Sequence, residues 1–113
     1  MKLYADYIKE REGKECMYND DMFITYKIYE DDVSIIDIYA CPKIRNTKRT
    51  FNFVMEFFDK MKDQGIKKAF GFTDETTKGW KESEERMLNF GFKKLDKINE
   101  NYNNYVLDLK EIQ

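Results

Sequence analysis

The run Lys43-Ile44-Arg45-Asn46-Thr47-Lys48-Arg49-Thr50 gathers four cations in a chain that is otherwise slightly acidic, with 20 Lys and Arg against 22 Asp and Glu. Helical periodicity begins immediately after it. The first turn of a helix leaves backbone N–H groups without intrahelical partners and carries the positive end of the dipole, so cations placed there make an anion site suited to phosphate. The plainer alternative is a solvated loop leading into a helix. The chain contains no histidine. That removes serine or cysteine nucleophiles activated by imidazole, and metal sites that need imidazole ligands. Acid–base chemistry is left to carboxylates, tyrosines, lysines, a cysteine or water.

Two elements must position this loop. Before it, Ser34 to Ala40 is rich in β-branched and aromatic residues, with Ile36, Ile38 and Ala40 on one face and Ile35, Asp37 and Tyr39 on the other. Pro42 withholds a backbone donor and disfavours helical geometry at Cys41, so the strand ends there. After it, Phe51, Val54, Met55, Phe58 and Met61 form one helical stripe, widened by Phe53 and Phe57, and Gly65 supplies the stop.

Residues 2–12 place Leu3, Tyr4, Tyr7 and Ile8 on one face and end at Gly13, which predicts a short helix. Met22 to Tyr29 alternates, and Glu30-Asp31-Asp32 turns it into the Val33–Ala40 strand as an antiparallel hairpin, joined at its outer edge by Glu15 to Met17. Ile66 to Thr73 is a strand returning parallel to Val33–Ala40 through a βαβ crossover. Thr76 or Thr77 caps a second helix with Trp80, Glu84, Met87 and Leu88 along one side, ending at Gly91. Phe92–Ile98 and Tyr105–Lys110 are strands separated by the Asn-rich turn 99–104. Trp80 and the phenylalanine stripe belong to the core. Gly71, inside a strand, marks the close approach of a ligand, or else a bulge or packing against a helix.

The 113 residues, 42% hydrophobic, suffice for one core, so a single domain over 1–113 is expected. A net charge of -2 with a pI near 5.3 argues against a general nucleic-acid binder. Cys16 and Cys41 make no disulfide framework, and no apolar run serves as a signal peptide or a membrane span. A cytoplasmic protein is expected.

The element order α-β-β-β-α-β-α-β-β, the segment Ile38-Tyr39-Ala40-Cys41-Pro42-Lys43-Ile44-Arg45 and the closing Gly91-Phe92 resemble the GCN5-related N-acetyltransferases (GNAT). That family shows a strand ending in V-x-P, then R-x-x-G-x-G/A opening a helix, a second strand–helix unit, and a segment finishing at G-F. The resemblance implies a mixed α/β fold: a mostly antiparallel sheet with a central βαβ unit and helices packed on it. It spans roughly residues 20 to 110, with the family's two N-terminal helices reduced to one.

Carried over by position, Ala40, Pro42 and Arg45 stand in the V, P and R places. The backbone of Ile38, Tyr39, Ala40 and Cys41 would then face pantetheine, and Arg45, Asn46, Thr47, Lys48, Arg49 and Thr50 the diphosphate of acetyl-CoA. Both glycines are replaced, by Lys48 and Thr50. If Lys48 had to be left-handed, its side chain would cost roughly 1–2 kcal/mol, about a decade of affinity; direct pairing of Arg45, Lys48 and Arg49 with phosphate would offset part of that loss. Ser83 matches the family's small residue on the second helix, whereas the tyrosine that often protonates the leaving thiolate is Met87 here. Tyr39, Tyr102 or Tyr105 would have to replace it, or the thiolate would leave unaided. Asp37, Glu75 and Glu15 are the candidate bases, with Asp37 preferred on the central strand. The implied activity is acetyl transfer to an amine-bearing small molecule or protein by direct attack in a ternary complex. The alternative is an inactive protein of the same fold that binds a macromolecular partner.

Overall fold

The computed structural model describes residues 1–112. Its elements are α1 (Lys2–Glu12), β1 (Glu15–Tyr18), β2 (Met22–Tyr29), β3 (Asp32–Ala40), a 3-10 turn (Pro42–Ile44), α2 (Lys48–Asp63), β4 (Lys68–Asp74), α3 (Trp80–Phe90), β5 (Lys93–Lys94) and β6 (Tyr102–Asp108), with a second 3-10 turn at Leu109–Glu111. One six-stranded sheet runs in the order β1-β2-β3-β4-β6-β5. Only β3 and β4 are parallel, joined by the crossover through α2. This is the mixed, mostly antiparallel sheet with a central βαβ unit that the sequence predicts.

The sheet is open at its centre. β3 and β4 pair only from Asp32 opposite Lys68 to Ser34 opposite Phe70. Beyond Ser34, β3 stays with β2 up to Met22 opposite Ala40, while β4 stays with β6 up to Asp74 opposite Tyr102. A bulge sits where they part: Thr25 is opposite Asp37 and Tyr26 opposite Ile35, so Ile36 is an extra residue on β3. A bulge bends the strand that carries it, which directs the end of β3 away from β4.

The bulge also corrects the face assignment. Ile35 lies on the same face as Ile38 and Ala40, because their partners Tyr26, Ile24 and Met22 alternate along β2. A strict period of two cannot register one inserted residue.

On the core face, α2 buries Phe53, Val54, Phe57, Phe58 and Met61, with the Phe57 ring edge-on to Tyr26 at 5.0 Å. Phe51 remains half exposed and stacks on Phe90 of α3 at 5.3 Å, which places α2 and α3 side by side. Gly71 of β4 is packed under α3: a Cβ there would lie 2.9 Å from the Met87 sulfur, so its role is helix packing. On the opposite face, α1 covers only the β1–β2 edge, through Ile8 and a Tyr4–Phe23 ring contact at 5.5 Å. Leu3 and Tyr7, expected on its packed face, are exposed.

Several boundaries differ from expectation. α2 starts at Lys48, three residues before its apolar stripe, because its first turn is solvent-facing and polar. α3 starts at Trp80 behind a left-handed Gly79, not at a threonine cap; Thr76 and Thr77 are bonded to Asp74 instead. Trp80 is half-buried and lies outside the main core cluster. The predicted Phe92–Ile98 strand is reduced to two residues. β6 begins at Tyr102, inside the Asn-rich stretch, because buried Asn103 finds side-chain partners there. No helix of the described residues is long and apolar enough to cross a membrane.

Candidate active site

The 3-10 turn after β3 brings the chain back to start α2. Asn46 takes the left-handed bend with φ 61°, a conformation that asparagine tolerates, whereas Lys48 is already helical. The conditional strain at Lys48 therefore does not arise. Thr47 is the N-cap residue, but its hydroxyl and that of Thr50 both donate to the Ile44 carbonyl at 2.6 Å. No side chain caps the helix, and its first turn contains no acidic residue. The N–H groups of Lys48, Arg49 and Thr50 thus keep their capacity to bind an anion without glycines at 48 and 50.

The cations divide into two groups. Arg45 donates from Nε to the Ala40 carbonyl at 2.9 Å, with its guanidinium 5.3 Å from the centre of the Tyr39 ring. Arg49 forms an ion pair with Asp21, the residue whose carbonyl accepts the Cys41 N–H at 2.8 Å. These two arginines tie the loop to β3 and to the turn before β2. Among the described residues, Lys43 and Lys48 have no ion-pair partner.

A further cation, absent from the sequence reading, comes from α3. The Phe51–Phe90 stack sets α3 beside the start of α2, so that Arg86, one turn before Phe90, points its Nη1 at Asn46 Oδ1 and its Nη2 at Ser83 Oγ, each at 3.5 Å. Only the packing of α3 on α2 brings it there, and sequence distance gives no sign of this.

Asp37 lies on the outer face of β3 at the bulge, exposed, with the buried Thr25 hydroxyl 3.4 Å from its Oδ2. Tyr39 shares that face and stacks on Phe23 at 5.6 Å. Ile38 is also exposed, and Ala40 is buried against Met22. Cys41 is half-buried.

The other candidate bases are committed elsewhere. Glu15 stands on edge strand β1 in an ion pair with Lys9. Glu75 accepts from Lys97 Nζ and from Asn103 Nδ2, both at 2.7 Å, and the hydrogen bonds from Lys97 and then Asn103 hold its carboxyl below the ordinary glutamate value. Asn103 also donates to Thr73 Oγ1 at 3.2 Å, and Thr73 lies 2.8 Å from the Tyr105 hydroxyl. Tyr105 in turn donates to Glu84, which pairs with Lys94 at 2.9 Å. This continuous network joins α3, β4, β5 and β6. Burial, then the bond to Glu84, pushes the Tyr105 phenol up to about 12. A fully buried hydroxyl already donating to a carboxylate is poorly suited to protonate a leaving group.

The decisive geometry is the parallel pair that parts at a β3 bulge, with a helix N-terminus at the end of the first parted strand. The fold is that of the GCN5-related N-acetyltransferases. The PaiA N-acetyltransferase of Thermoplasma acidophilum in complex with coenzyme A superposes with a TM-score of 0.73 at 17% identity, over 95% of this chain and 69% of that one. A GNAT acetyltransferase of Elizabethkingia anophelis with acetyl-CoA bound gives 0.69 at 13% identity, over 95% and 82%. The ribosomal-protein-S18-alanine N-acetyltransferase of Escherichia coli gives 0.62 at 10%, over 93% and 72%. The chain spans 65% and 61% of two further GNAT neighbours, from Desulfovibrio desulfuricans and Staphylococcus aureus. No family model and no curated protein matches the sequence, so the likeness to GNAT enzymes lies in the fold.

Proposed function

We propose that the chain is an acetyl-CoA-dependent N-acetyltransferase. The observation that carries this reading is the uncapped α2 N-terminus, free of acidic residues and flanked by cations without an ion-pair partner among the described residues, at the end of the strand that parts from β4. Two of the fold neighbours described above hold coenzyme A or acetyl-CoA. In this reading the diphosphate rests on the N–H groups of Lys48, Arg49 and Thr50, with the side chains of Lys48 and Arg86 as direct cationic partners. Arg45, Asn46, Thr47 and Ser83 shape the loop around it. The free edge of β3 from Ile38 to Cys41 offers backbone groups to pantetheine along the opening, since β4 no longer pairs with it there.

Bound acetyl-CoA supplies an acetyl thioester that an amine attacks directly, releasing the thiol. The chain holds amine and thioester together, so proximity provides much of the rate. Asp37, exposed at the opening, accepts the proton that the amine loses. The Glu75 carboxylate, already bonded to Lys97 and Asn103, is left as a support for the β4–β6 end of the site. Met87 has no proton to give to the departing sulfur and the Tyr105 proton is directed at Glu84, which leaves Tyr39, Tyr102 or solvent to supply it.

Titrating desulfo-CoA and acetyl-CoA into the protein by calorimetry tests the cofactor reading. Saturable heat with a dissociation constant on the order of micromolar to millimolar is expected. No heat and no thermal shift at millimolar ligand would remove the enzyme reading and favour a partner-binding protein on the same fold.

A further inference from the structure

A cavity of about 530 Å³ lies at the other end of the molecule, where the C-terminal ends of α1 and α2 meet the edge of the sheet. The 16 residues of α2, roughly 24 Å of helix, separate it from the candidate site at Lys48. Its volume is that of a small-molecule pocket.

The strand register explains why space is left there. β1 pairs with β2 only as far as Glu15 opposite Tyr26, and Gly13, left-handed at φ 67°, turns the chain back into α1. From Lys27 to Tyr29, residues that line the cavity, the edge of β2 away from β3 therefore has no partner strand among the described residues. An unpaired edge is a template for an extended chain. Tyr26 projects on the core face, where its ring packs edge-on to Phe57 of α2 at 5.0 Å. One and two turns after Phe57, Lys60 and Gln64 line the same cavity.

Tyr26 is only 4% exposed, yet its hydroxyl bonds to no side-chain or backbone group among the described residues. No side-chain oxygen of these residues that is sealed from solvent lacks a partner. The phenol oxygen must therefore open onto free space, and the cavity is the space that Tyr26 lines. Cations surround it unequally. Lys9 is paired with Glu15, whereas Lys27 and Lys60 have no ion-pair partner among the described residues. Lysines at a helix C-terminus ordinarily complement the dipole in water. Here Lys60 shares its cavity with a buried O–H that the fold itself leaves without an acceptor.

A carboxylate accepts from a phenol and from ammonium groups together, and an amide adjoining it can pair with a free strand edge. We propose that this cavity binds the carboxylate of an acylated amino acid, as a free N-acyl amino acid or as the end of a peptide, with the carboxylate on Tyr26 and Lys60 and the adjoining amide on the β2 edge. The site is independent of the acyl-transfer reading.

The test titrates acetyl-trialanine, its C-terminal amide, acetylalanine and acetate into the protein by calorimetry, with and without saturating desulfo-CoA. The acid is expected to bind about tenfold more tightly than the amide, with or without desulfo-CoA. Tyr26→Phe keeps the ring against Phe57 and removes only the hydroxyl, and Lys60→Gln removes one charge. Each should weaken the acid about fivefold and leave the amide, the desulfo-CoA affinity and the melting temperature unchanged. Given that preference, a gain from acetylalanine to acetyl-trialanine identifies a peptide end as the occupant, and equal affinities identify the free acylated amino acid. Equal binding of acid and amide, acetate binding as tightly as acetyl-trialanine, or full affinity in both variants would overturn the proposal. So would a lowered melting temperature in Tyr26→Phe, which would give the hydroxyl a partner inside the fold, or loss of the heat in desulfo-CoA, which would move the ligand to the α2 N-terminus.

Discussion

Gly71 on β4 and Met87 on α3 are packed so closely that a Cβ on the glycine would come within 2.9 Å of the methionine sulfur. The contact seats α3, and through α3 it sets Arg86 beside the α2 N-terminus and Glu84 under Tyr105. The sulfur is near the end of a flexible side chain, so it yields at a cost. Gly71→Ala should destabilise by about 1–3 kcal/mol, the usual range for overpacking. In a double-mutant cycle, Met87→Ala should relieve that penalty, giving a coupling of about 1 kcal/mol in urea unfolding. Strict additivity of the two substitutions would show that the strain lies in the strand and not in this contact.

The division of cations around the loop predicts a separation of effects. Arg49 is paired with Asp21 and Arg45 with the Ala40 carbonyl, whereas Lys48 and Arg86 have no ion-pair partner among the described residues. Lys48→Ala combined with Arg86→Ala should weaken desulfo-CoA binding by about 10- to 100-fold, the worth of two charge-assisted contacts, with little change in melting temperature. Arg49→Ala should do less to affinity and more to the temperature. If the Arg49 variant loses as much binding as the double variant, the diphosphate is held by a different set of side chains. Pantetheine, which lacks the diphosphate, should bind the parent and the double variant alike.

Much of the fold was legible because its elements follow strong periodicities. The α2 stripe, the alternating β2 and the Gly13 and Gly91 stops are all where the residues put them. What escaped depends on partners distant in sequence. The polar first turn of α2 has no stripe to reveal it. Asn103 reads as turn chemistry until Thr73 and Glu75 appear across the sheet to bond it. The bulge at Ile36 shows only in the β2 register. Arg86 becomes a site residue only through the Phe51–Phe90 stack.

The Tyr105–Glu84 pair gives the protein two pH limits. The hydrogen bond from Tyr105 and then that from Lys94 hold the Glu84 carboxyl below its ordinary value, so its stabilisation is present above the unfolded glutamate pKa and is lost as pH falls through the lower folded one. Burial raises Tyr105 from 10.0 to about 12, so its contribution is complete below pH 10 and is lost as pH rises toward about 12. Urea midpoints measured from pH 3 to 11 should fall at both ends. Glu84→Gln should flatten the acid limb and Tyr105→Phe the alkaline one, each at the cost of lower stability at pH 7. An unchanged acid slope in Glu84→Gln would assign acid sensitivity to other carboxylates, such as Glu75.

The base assignment is tested at Asp37. An ammonium must lose its proton to attack, and Asp37, at the parting of β3 and β4, has no ion-pair partner among the described residues and lies outside the Glu84–Glu75 network, whereas Asp74 further along β4 is held by Thr76. With any amine that is turned over, Asp37→Asn should lower kcat/KM by roughly 10²–10⁴-fold, the usual worth of a positioned general base. The loss should shrink as pH rises and more of the amine is already neutral. Desulfo-CoA affinity should be unchanged, because the substitution is isosteric and lies on the outer face. Met87→Tyr provides the complementary probe: it should raise turnover only where protonation of the departing thiol limits the rate, and its effect should then multiply with that of Asp37→Asn. A fully active Asp37→Asn variant across the pH range would take Asp37 out of the mechanism and leave an ordered water as the base. Loss of desulfo-CoA binding in the same variant would instead make Asp37 a structural residue of the β3 bulge.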